Sequence, residues 1–334
     1  MFFFNKKETP EQLAEKEKQE RSIKSLEMGG LPLRATERIE RFKQSGGKLF
    51  TSDLTCNEHL LTNQAGYRPI SQVMGSAFMN ISLSGSWWGM SRSTGELNAY
   101  TDALMRARHL AVSRMEHEAV LLGAHGIIGV DLKVRTYDWD SRMIEVTAIG
   151  TAINVPGRPD GEMPFSSDLT GQEFWQLHNE GWWPASLVLG VSAYYVYTDQ
   201  LTASRTVNFW FGQNANQEIP LYTEALHDAR KYAMRRLQLQ ASECNAEGVV
   251  GAKVSHHIKE IEYETNKTTH HDLIITFEAI GTAIKRDEHP KEPAVKDRLI
   301  IMDLRRGSRH RLVELATEKY SETLIDDDDD FDGE

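Results

Sequence analysis

The chain has 334 residues, of which 40% are hydrophobic and 26% are charged, and its formal net charge is −11. This length suits two domains of ordinary size, each able to bury a core. The two cysteines, Cys56 and Cys244, are too few for a disulfide framework or a four-cysteine zinc site. The acidic balance argues against general nucleic-acid binding, which needs a basic surface.

The N-terminal 48 residues are predicted to form a helical extension. Residues 10–28 and 34–45 are rich in charged helix-forming residues, and a Gly-Gly-Leu-Pro sequence at 29–32 separates them. No signal peptide precedes them, because polar residues follow the first four apolar ones at once. The longest apolar stretch of the chain, residues 187–197, is about half as long as a membrane span. These features predict a cytoplasmic protein without a transmembrane segment.

Three sequence blocks occur twice in the same order. Phe-Thr-Ser-Asp-Leu-Thr at 50–55 recurs as Phe-Ser-Ser-Asp-Leu-Thr at 165–170, an offset of 115 residues. A block that begins at Tyr100 recurs at Tyr222, and Ala-Ile-Gly-Thr-Ala-Ile at 148–153 recurs at 279–284, with offsets of 122 and 131 residues. The offset rises only between blocks, as expected when a duplicated domain acquires insertions in its loops.

The duplication predicts two domains, repeat 1 over residues 49–156 and repeat 2 over residues 164–286. Each repeat is predicted to fold as two strands, a helix and two further strands. Apolar residues recur every three or four positions over 97–122 and again over 222–241, which is typical of an amphipathic helix on a sheet.

The segments around each helix complete the predicted fold. Gly123 and Asn245 stand where such helices end. Alternating residues after each helix predict a β-hairpin, with turns at 138–141 and 266–267. The earlier strands are placed at 73–83 and 187–197. The fold class is therefore α+β, with tandem ββαββ-type domains and helical extensions at both ends.

Residues 287–334 are predicted to hold a linker, a short helix at 309–324 and an acidic tail. The tail contains five consecutive aspartates at 326–330, whose mutual repulsion favours disorder. It is either a solubilising segment or a docking peptide, in which Phe331 is the anchor and the aspartates steer a cationic partner.

The repeated blocks resemble the YbjQ-like family, whose domain carries a heavy-metal-binding label. The resemblance rests on one set of positions in each repeat: Tyr100, Leu104, Ala107, Arg108, Gly126, Gly129 and Gly150-Thr151-Ala152, and then Tyr222, Leu226, Ala229, Arg230, Gly248, Gly251 and Gly281-Thr282-Ala283. It implies a small α+β domain and ring-forming homo-oligomers, commonly pentamers, with no established reaction. The chain differs from the family in being doubled and extended, and in keeping only part of the glycine-rich loop before the helix, at 91–95.

The second predicted hairpin carries four histidines, His256, His257, His270 and His271. Imidazoles on two adjacent strands are suitable ligands for zinc, copper or nickel. A turn at 266–267, however, would pair residue 261 with residue 271, so that the two histidine pairs stand more than one step apart. The alternative is that all four are solvent-facing residues of a long hairpin.

Other candidate residues suit binding better than catalysis. Arg108 and Arg230 occupy equivalent helix positions and are candidates either for an anionic ligand or for an ion pair with a neighbouring subunit or strand. The paired tryptophans Trp87, Trp88, Trp182 and Trp183 are candidates for an interface or for the core. The glycines after each helix suit either an anion cradle or close packing.

No catalytic motif was recognised in the sequence, so the first hypothesis is a non-catalytic, ring-forming assembly protein. Its partners would be copies of itself, most simply five, and a protein recruited by the terminal helices or the acidic tail. No resident cofactor is expected. The alternative hypothesis is a protein that binds a metal or small ligand through the hairpin histidines or grooves between domains. An enzyme with an unrecognised site between subunits is a third.

Overall fold

The computed structural model describes residues 9–47, 50–81, 93–137, 140–158, 163–199, 218–265, 268–287, 300–302 and 312–314. The chain as far as His289 forms one unit, which contains both repeats, and the chain from Pro290 onward forms another. Among the described helices, none is long and apolar enough to cross a membrane.

The N-terminal extension consists of two helices, α1 (Pro10–Glu27) and α2 (Leu33–Gln44). The side chain of Thr9 caps α1 in a capping box with Gln12, and Pro10 occupies the first turn, where its missing N–H costs nothing. Ile39 of α2 is buried. The two predicted N-terminal helices are therefore confirmed.

The described part of repeat 1 contains two helices and four strands: α3 (Cys56–Gln64), β1 (Arg68–Asn80), β2 (Gly95–Glu96), α4 (Asn98–Leu122), β3 (Gly126–Tyr137) and β4 (Asp140–Asn154). Repeat 2 contains β5 (Phe165–Ser166), α5 (Gly171–Asn179), β6 (Trp182–Val196), α6 (Pro220–Glu243), β7 (Gly248–Thr265) and β8 (Thr268–Arg286). The order of the long elements is the same in both, so the structure confirms an α+β fold in two copies.

Each repeat packs its long helix on a sheet in which three long strands are antiparallel. The strand orders are β1-β4-β3-β5 and β2-β6-β8-β7. The helices approach the sheets closely because alanines face them: Ala107, Ala111 and Ala119 on α4, and Ala229 and Ala233 on α6, are fully buried. At the contact points the strands carry Gly75 and Gly190, where an added Cβ would overlap the helix backbone.

The predicted long helices and hairpins match the structure. Gly123 ends α4 with a left-handed conformation, φ 71°, and Asn245 follows α6 with φ 53°. The hairpin turns fall between Tyr137 and Asp140 and between Thr265 and Thr268.

The first part of each predicted repeat needs a correction. A short helix, α3 or α5, precedes the first long strand, and the two-residue β2 joins the sheet of the other repeat. The sequence did carry the helix signal, because Thr55 with Glu58 and Thr170 with Glu173 form capping boxes.

The helix predicted at 309–324 is wrong over the residues that the structure describes there. Leu312–Glu314 is a strand, β10, and it pairs antiparallel with β9 (Ile300–Met302). Isoleucine and valine favour extended backbone, and each strand gives the other a hydrogen-bonding partner. The acidic tail at 326–334 lies outside the described residues.

Candidate functional site: the junction between the repeats

The two repeats are joined by an exchange of short strands. From repeat 1, β2 pairs antiparallel with β6 at Tyr194 and Tyr195. From repeat 2, β5 pairs in parallel with β3 at Gly126 and Ile127. Each sheet is therefore completed by a segment of the other repeat, which makes the junction an integral part of both.

Hydrogen bonds extend the second exchange beyond β5. The Ser167 amide donates to the Ile127 carbonyl at 2.9 Å, the Val130 amide donates to the Ser167 carbonyl at 2.9 Å, and the Gly129 amide donates to the Leu169 carbonyl at 2.8 Å. Gly129 has φ 64° and lies in a β-bulge of β3. The bulge turns two consecutive amides toward residues 167–169.

In repeat 1, Gly126, the first glycine of the pair that follows the long helix, serves close packing. A Cβ added to Gly126 would overlap the aromatic ring of Phe165, which comes from repeat 2. Phe165 is 4% exposed. Of the two possibilities left open by the sequence, this contact supports packing at Gly126.

Helix α4 lies between its own sheet and the sheet of repeat 2. The face of β6 formed by Leu187, Leu189, Val191 and Ala193 belongs to the same buried cluster as the apolar side of α4. Backbone groups at the edge of β6 are satisfied as well, since the Leu97 amide donates to the Ala193 carbonyl at 2.8 Å and the Ala193 amide donates to Thr101 Oγ1 at 2.9 Å.

Two ion pairs cross the junction. Glu96 receives both guanidinium nitrogens of Arg236, at 2.6 and 3.1 Å. Arg108, which is 1% exposed, pairs with Glu278 and donates to the Leu104 carbonyl at 2.8 Å. Burial lowers the pKa of Arg108, and the charge of Glu278 raises it. The structure thus places candidate Arg108 in an ion pair with a neighbouring strand.

A second polar cluster lies on the other side of the junction. The imidazole of His178 joins Tyr67 of repeat 1 to Asp287, its Nε2 lying 3.1 Å from Asp287 Oδ2. Arg158 pairs with Asp287 and stacks 3.6 Å over the Trp183 ring. Burial raises the pKa of Tyr67, and the nearby Asp287 raises it further, so its phenol stays protonated.

Trp183, one of the predicted candidates, is a junction residue. It packs edge-on against Phe165 and Phe174, with ring centroids 4.9 and 5.8 Å apart. It also borders a cleft of about 290 Å³, whose other walls include His125, Arg158, Met163 and Lys285. The cleft is small for a drug-sized ligand.

The remaining predicted residues are not gathered at this junction. Trp182 is half-buried, with the Arg286 guanidinium 3.9 Å over its ring, and Arg230 is exposed on α6. Trp87 and Trp88 lie outside the described residues.

The strand register separates the two histidine pairs of the hairpin. His256 and His257 stand opposite Phe277 and Thr276, whereas His271 stands opposite Glu262, which differs by one residue from the expected pairing with 261. The centres of the two histidine pairs are thus six residues, or about 20 Å, apart along the hairpin. The His271 Nδ1 atom lies 2.6 Å from Glu260. Over the described part of the chain, no three His, Cys, Asp or Glu side chains form a group that could hold a metal ion.

Sequence reasoning missed the polar cluster and the role of the repeated Phe-x-Ser-Asp-Leu-Thr block. The block was recognised as a repeat, but its function as a shared edge strand depends on contacts between domains. Tyr67, His178 and Asp287 carry no common spacing, so no sequence signal connected them.

Comparison with known proteins agrees with this architecture. A family model described as "Putative heavy-metal-binding" (YbjQ) matches residues 69–156. UPF0145 proteins of Bifidobacterium longum subsp. infantis and Clostridium botulinum are 39% and 41% identical, over 19% and 18% of this chain and 58% and 56% of their own length.

A longer relative covers both repeats. The encapsulin nanocompartment protein Rv1762c of Mycobacterium tuberculosis is 34% identical over 259 residues, which are 75% of this chain and 90% of that protein. The chain therefore belongs to the same family as this nanocompartment protein, and its two repeats are tandem copies of the YbjQ-like domain.

Proposed function

We propose that the chain is a non-catalytic assembly protein, which forms a homo-oligomeric ring and takes part in building a protein nanocompartment. The observation that carries this proposal is the long relative that is itself named as a nanocompartment protein and is matched over nearly all of its length. The match spans both repeats, so it concerns the architecture of the pair and not one domain alone.

The chemistry of the junction supports a structural role. Its charged groups are engaged with one another: Arg108 with Glu278, Arg236 with Glu96, and Asp287 with Arg158 and His178. Such networks orient and fix the packed parts, and the protonated Tyr67 is a poor nucleophile.

The proposal also includes the number of chains in the ring, the location of the ring and a partner protein. We infer five chains, and hence ten repeats, in a cytoplasmic ring. A further protein is recruited by the helices of the N-terminal extension or by the acidic tail.

Light scattering coupled to size-exclusion chromatography tests the assembly. The expected mass is about 190 kDa, five times the 37.9 kDa chain. Electron microscopy of the same fractions should show closed particles. A stable monomer at micromolar concentration would contradict the proposal.

A further inference from the structure

Repeat 1 and repeat 2 contact each other through two different surfaces. Each repeat carries its own copy of both surfaces. We call the surface that repeat 1 uses the front surface, namely the edge of β3 at 126–130 with residues 95–108. The surface that repeat 2 uses is the back surface, namely segment 165–170 with β6. By the repeat offsets, repeat 2 has its own front surface at 248–252 and 218–230, and repeat 1 has its own back surface at 50–55 and β1.

These second copies of the two surfaces are open in a single chain. Gly126, Ile127, Ile128 and Val130 are buried. Their counterparts Gly248, Val249 and Val250 are half-buried and Ala252 is exposed, as is the neighbouring Gly251. Phe165 is 4% exposed, but its counterpart Phe50 is 41% exposed. Among the described residues, β7 is thus the outermost strand of its sheet, and its edge is of the kind that takes an added strand.

Gly248 has room for the aromatic ring that its counterpart receives. A Cβ on Gly126 would overlap the Phe165 ring, whereas the nearest atom to a Cβ on Gly248 is 4.0 Å away in its own repeat. The space beside Gly248 and the exposed ring of Phe50 thus correspond to the two halves of the contact between Gly126 and Phe165.

Matched residues on the sheet faces of the two repeats also differ in exposure. In β6, Leu189 is 2% and Ala193 is 0% exposed, because α4 covers them. Their counterparts in β1, Met74 and Phe78, are 49% and 60% exposed. On the front surface, Leu132 is half-buried, but its counterpart Val254 is 58% exposed. Exposed apolar residues at matched positions on both open surfaces indicate a contact that buries them.

The polar contacts are also repeated. Leu97 and Thr101 satisfy the edge of β6 at Ala193. Ile219 and Thr223 occupy the same positions before and in α6, and Phe78 is the counterpart of Ala193 at the edge of β1. Ile219 and Thr223 are thus placed to make the same two contacts with the edge of a second strand.

One contact of the junction is not available at the open back surface. Arg114, the counterpart of Arg236, donates to the carbonyls of Gly30 and Leu26 in the N-terminal extension at 3.1 and 3.0 Å. Glu218, the counterpart of Glu96, would find this arginine occupied. The junction between chains would therefore lack one ion pair that the junction within the chain has.

We propose that the open front surface of repeat 2 binds the open back surface of repeat 1 in a second copy of this chain, with residues 50–54 of that copy paired along the edge of β7 and Phe50 against Gly248. This inference rests on the proposed function as an assembly protein and names its interface. The contact is heterologous, so it repeats from chain to chain and closes into a ring when the rotation allows. Every such ring contains an even number of repeats.

A directed disulfide tests the interface. Within the chain, α3 and α5 touch where a Cβ on Gly171 would lie 2.9 Å from Thr62 Oγ1. Their counterparts across the proposed contact are the native Cys56 of one copy and Leu177 of the other. The variant Leu177→Cys, in a Cys244→Ser background, should form interchain disulfides when oxidised glutathione is added, because the matched positions 171 and 62 are in contact within the chain. A non-reducing gel should show a ladder of linked chains, which Cys56→Ser abolishes.

The outcomes distinguish the interface from the function. A ladder that depends on both cysteines supports the proposal. An oligomer that forms no ladder overturns the interface and leaves the assembly function standing. A wild-type protein that light scattering shows to be a monomer overturns both.

A glycine substitution gives an independent measurement. Gly248→Ala places a methyl group in open space in its own chain but against Phe50 of the neighbour, so the assembly should dissociate at about tenfold higher protein concentration. Gly95→Ala is the control, because a Cβ there meets nothing within 4 Å and the residue belongs to the junction within the chain, not to the proposed contact between chains. Equal midpoints for the two variants would contradict the interface.

Discussion

Two arginines at equivalent positions of the two repeats have opposite surroundings in this protein. Arg108 is 1% exposed and paired with Glu278, while Arg230, at the same place in the other repeat, is exposed. The difference arises because the sheet of repeat 2 covers α4, whereas the described residues of the chain place no equivalent sheet over α6. A buried guanidinium needs a carboxylate and carbonyl acceptors, and Arg108 has both.

Removing the charge of Glu278 should therefore destabilise the fold. We expect Glu278→Gln to lower the free energy of unfolding by about 1–3 kcal/mol, less than for a fully buried pair because the Glu278 side chain is 31% exposed. Chemical denaturation at fixed protein concentration measures the change. Asp131→Asn, which breaks an exposed pair with Lys133, is the control and should leave the stability nearly unchanged. Equal effects would mean that Arg108 does not need its carboxylate.

The N-terminal helices are held to repeat 1 by few, strong contacts. Arg114 of α4 donates to the carbonyls of Leu26, Gly30 and Ser76, and so fastens the turn between α1 and α2 to the edge of β1. Arg38 of α2 reaches Glu118 at 2.7 Å, and Glu118 also accepts the Met74 amide. Almost all residues of α1 are exposed to solvent.

Arg114→Leu should release the extension without unfolding the repeats. Its hydrogen bonds to carbonyls are worth about 1.5–3 kcal/mol each as charged donors, and no aliphatic side chain replaces them. We expect hydrogen exchange in residues 10–44 to become faster by at least about tenfold, while α4 and β4 keep their protection. Arg21→Leu, which removes only a bond to the Glu17 carbonyl within α1, serves as control. Unchanged exchange in Arg114→Leu would show that packing of Ile39 is sufficient.

At the scale of the whole molecule, the two repeats share one buried hydrophobic cluster across their junction. The largest buried cluster contains residues of both repeats, including Leu104 and Met115 from α4 and Leu187 and Val191 from β6. Such a junction orients the two repeats rigidly, and rigid orientation is what a closed assembly requires of its subunits.

The molecule as purified should carry no stoichiometric transition metal. The register holds the two histidine pairs of β7 and β8 about 20 Å apart, which is too far for shared coordination. Elemental analysis of the wild-type protein should give well below one zinc, copper or nickel ion per chain, and His257→Ala with His270→Ala should not change the result. About one ion per chain that disappears in the double variant would overturn this expectation.

The sequence by itself determined the duplication, the long helices, the hairpins and the family. These follow from local causes: apolar periodicity, Gly123 and Asn245 at helix ends, and turn residues between strands. Local signals did not reveal that β2 and β5 exchange between repeats, because two-residue strands have no periodicity of their own.

Only the tertiary structure decided which surfaces join and what they use. Phe50 and Phe165 head the same repeated block, yet Phe50 is exposed and Phe165 is buried against Gly126. Among the described residues, only the segment of Phe165 lies along a sheet edge of the other repeat. Likewise Tyr67, His178 and Asp287 lie more than a hundred residues apart, and long-range packing alone brings them together. Burial and strand pairing depend on contacts with the neighbouring domain. No short stretch of sequence contains the information on those contacts.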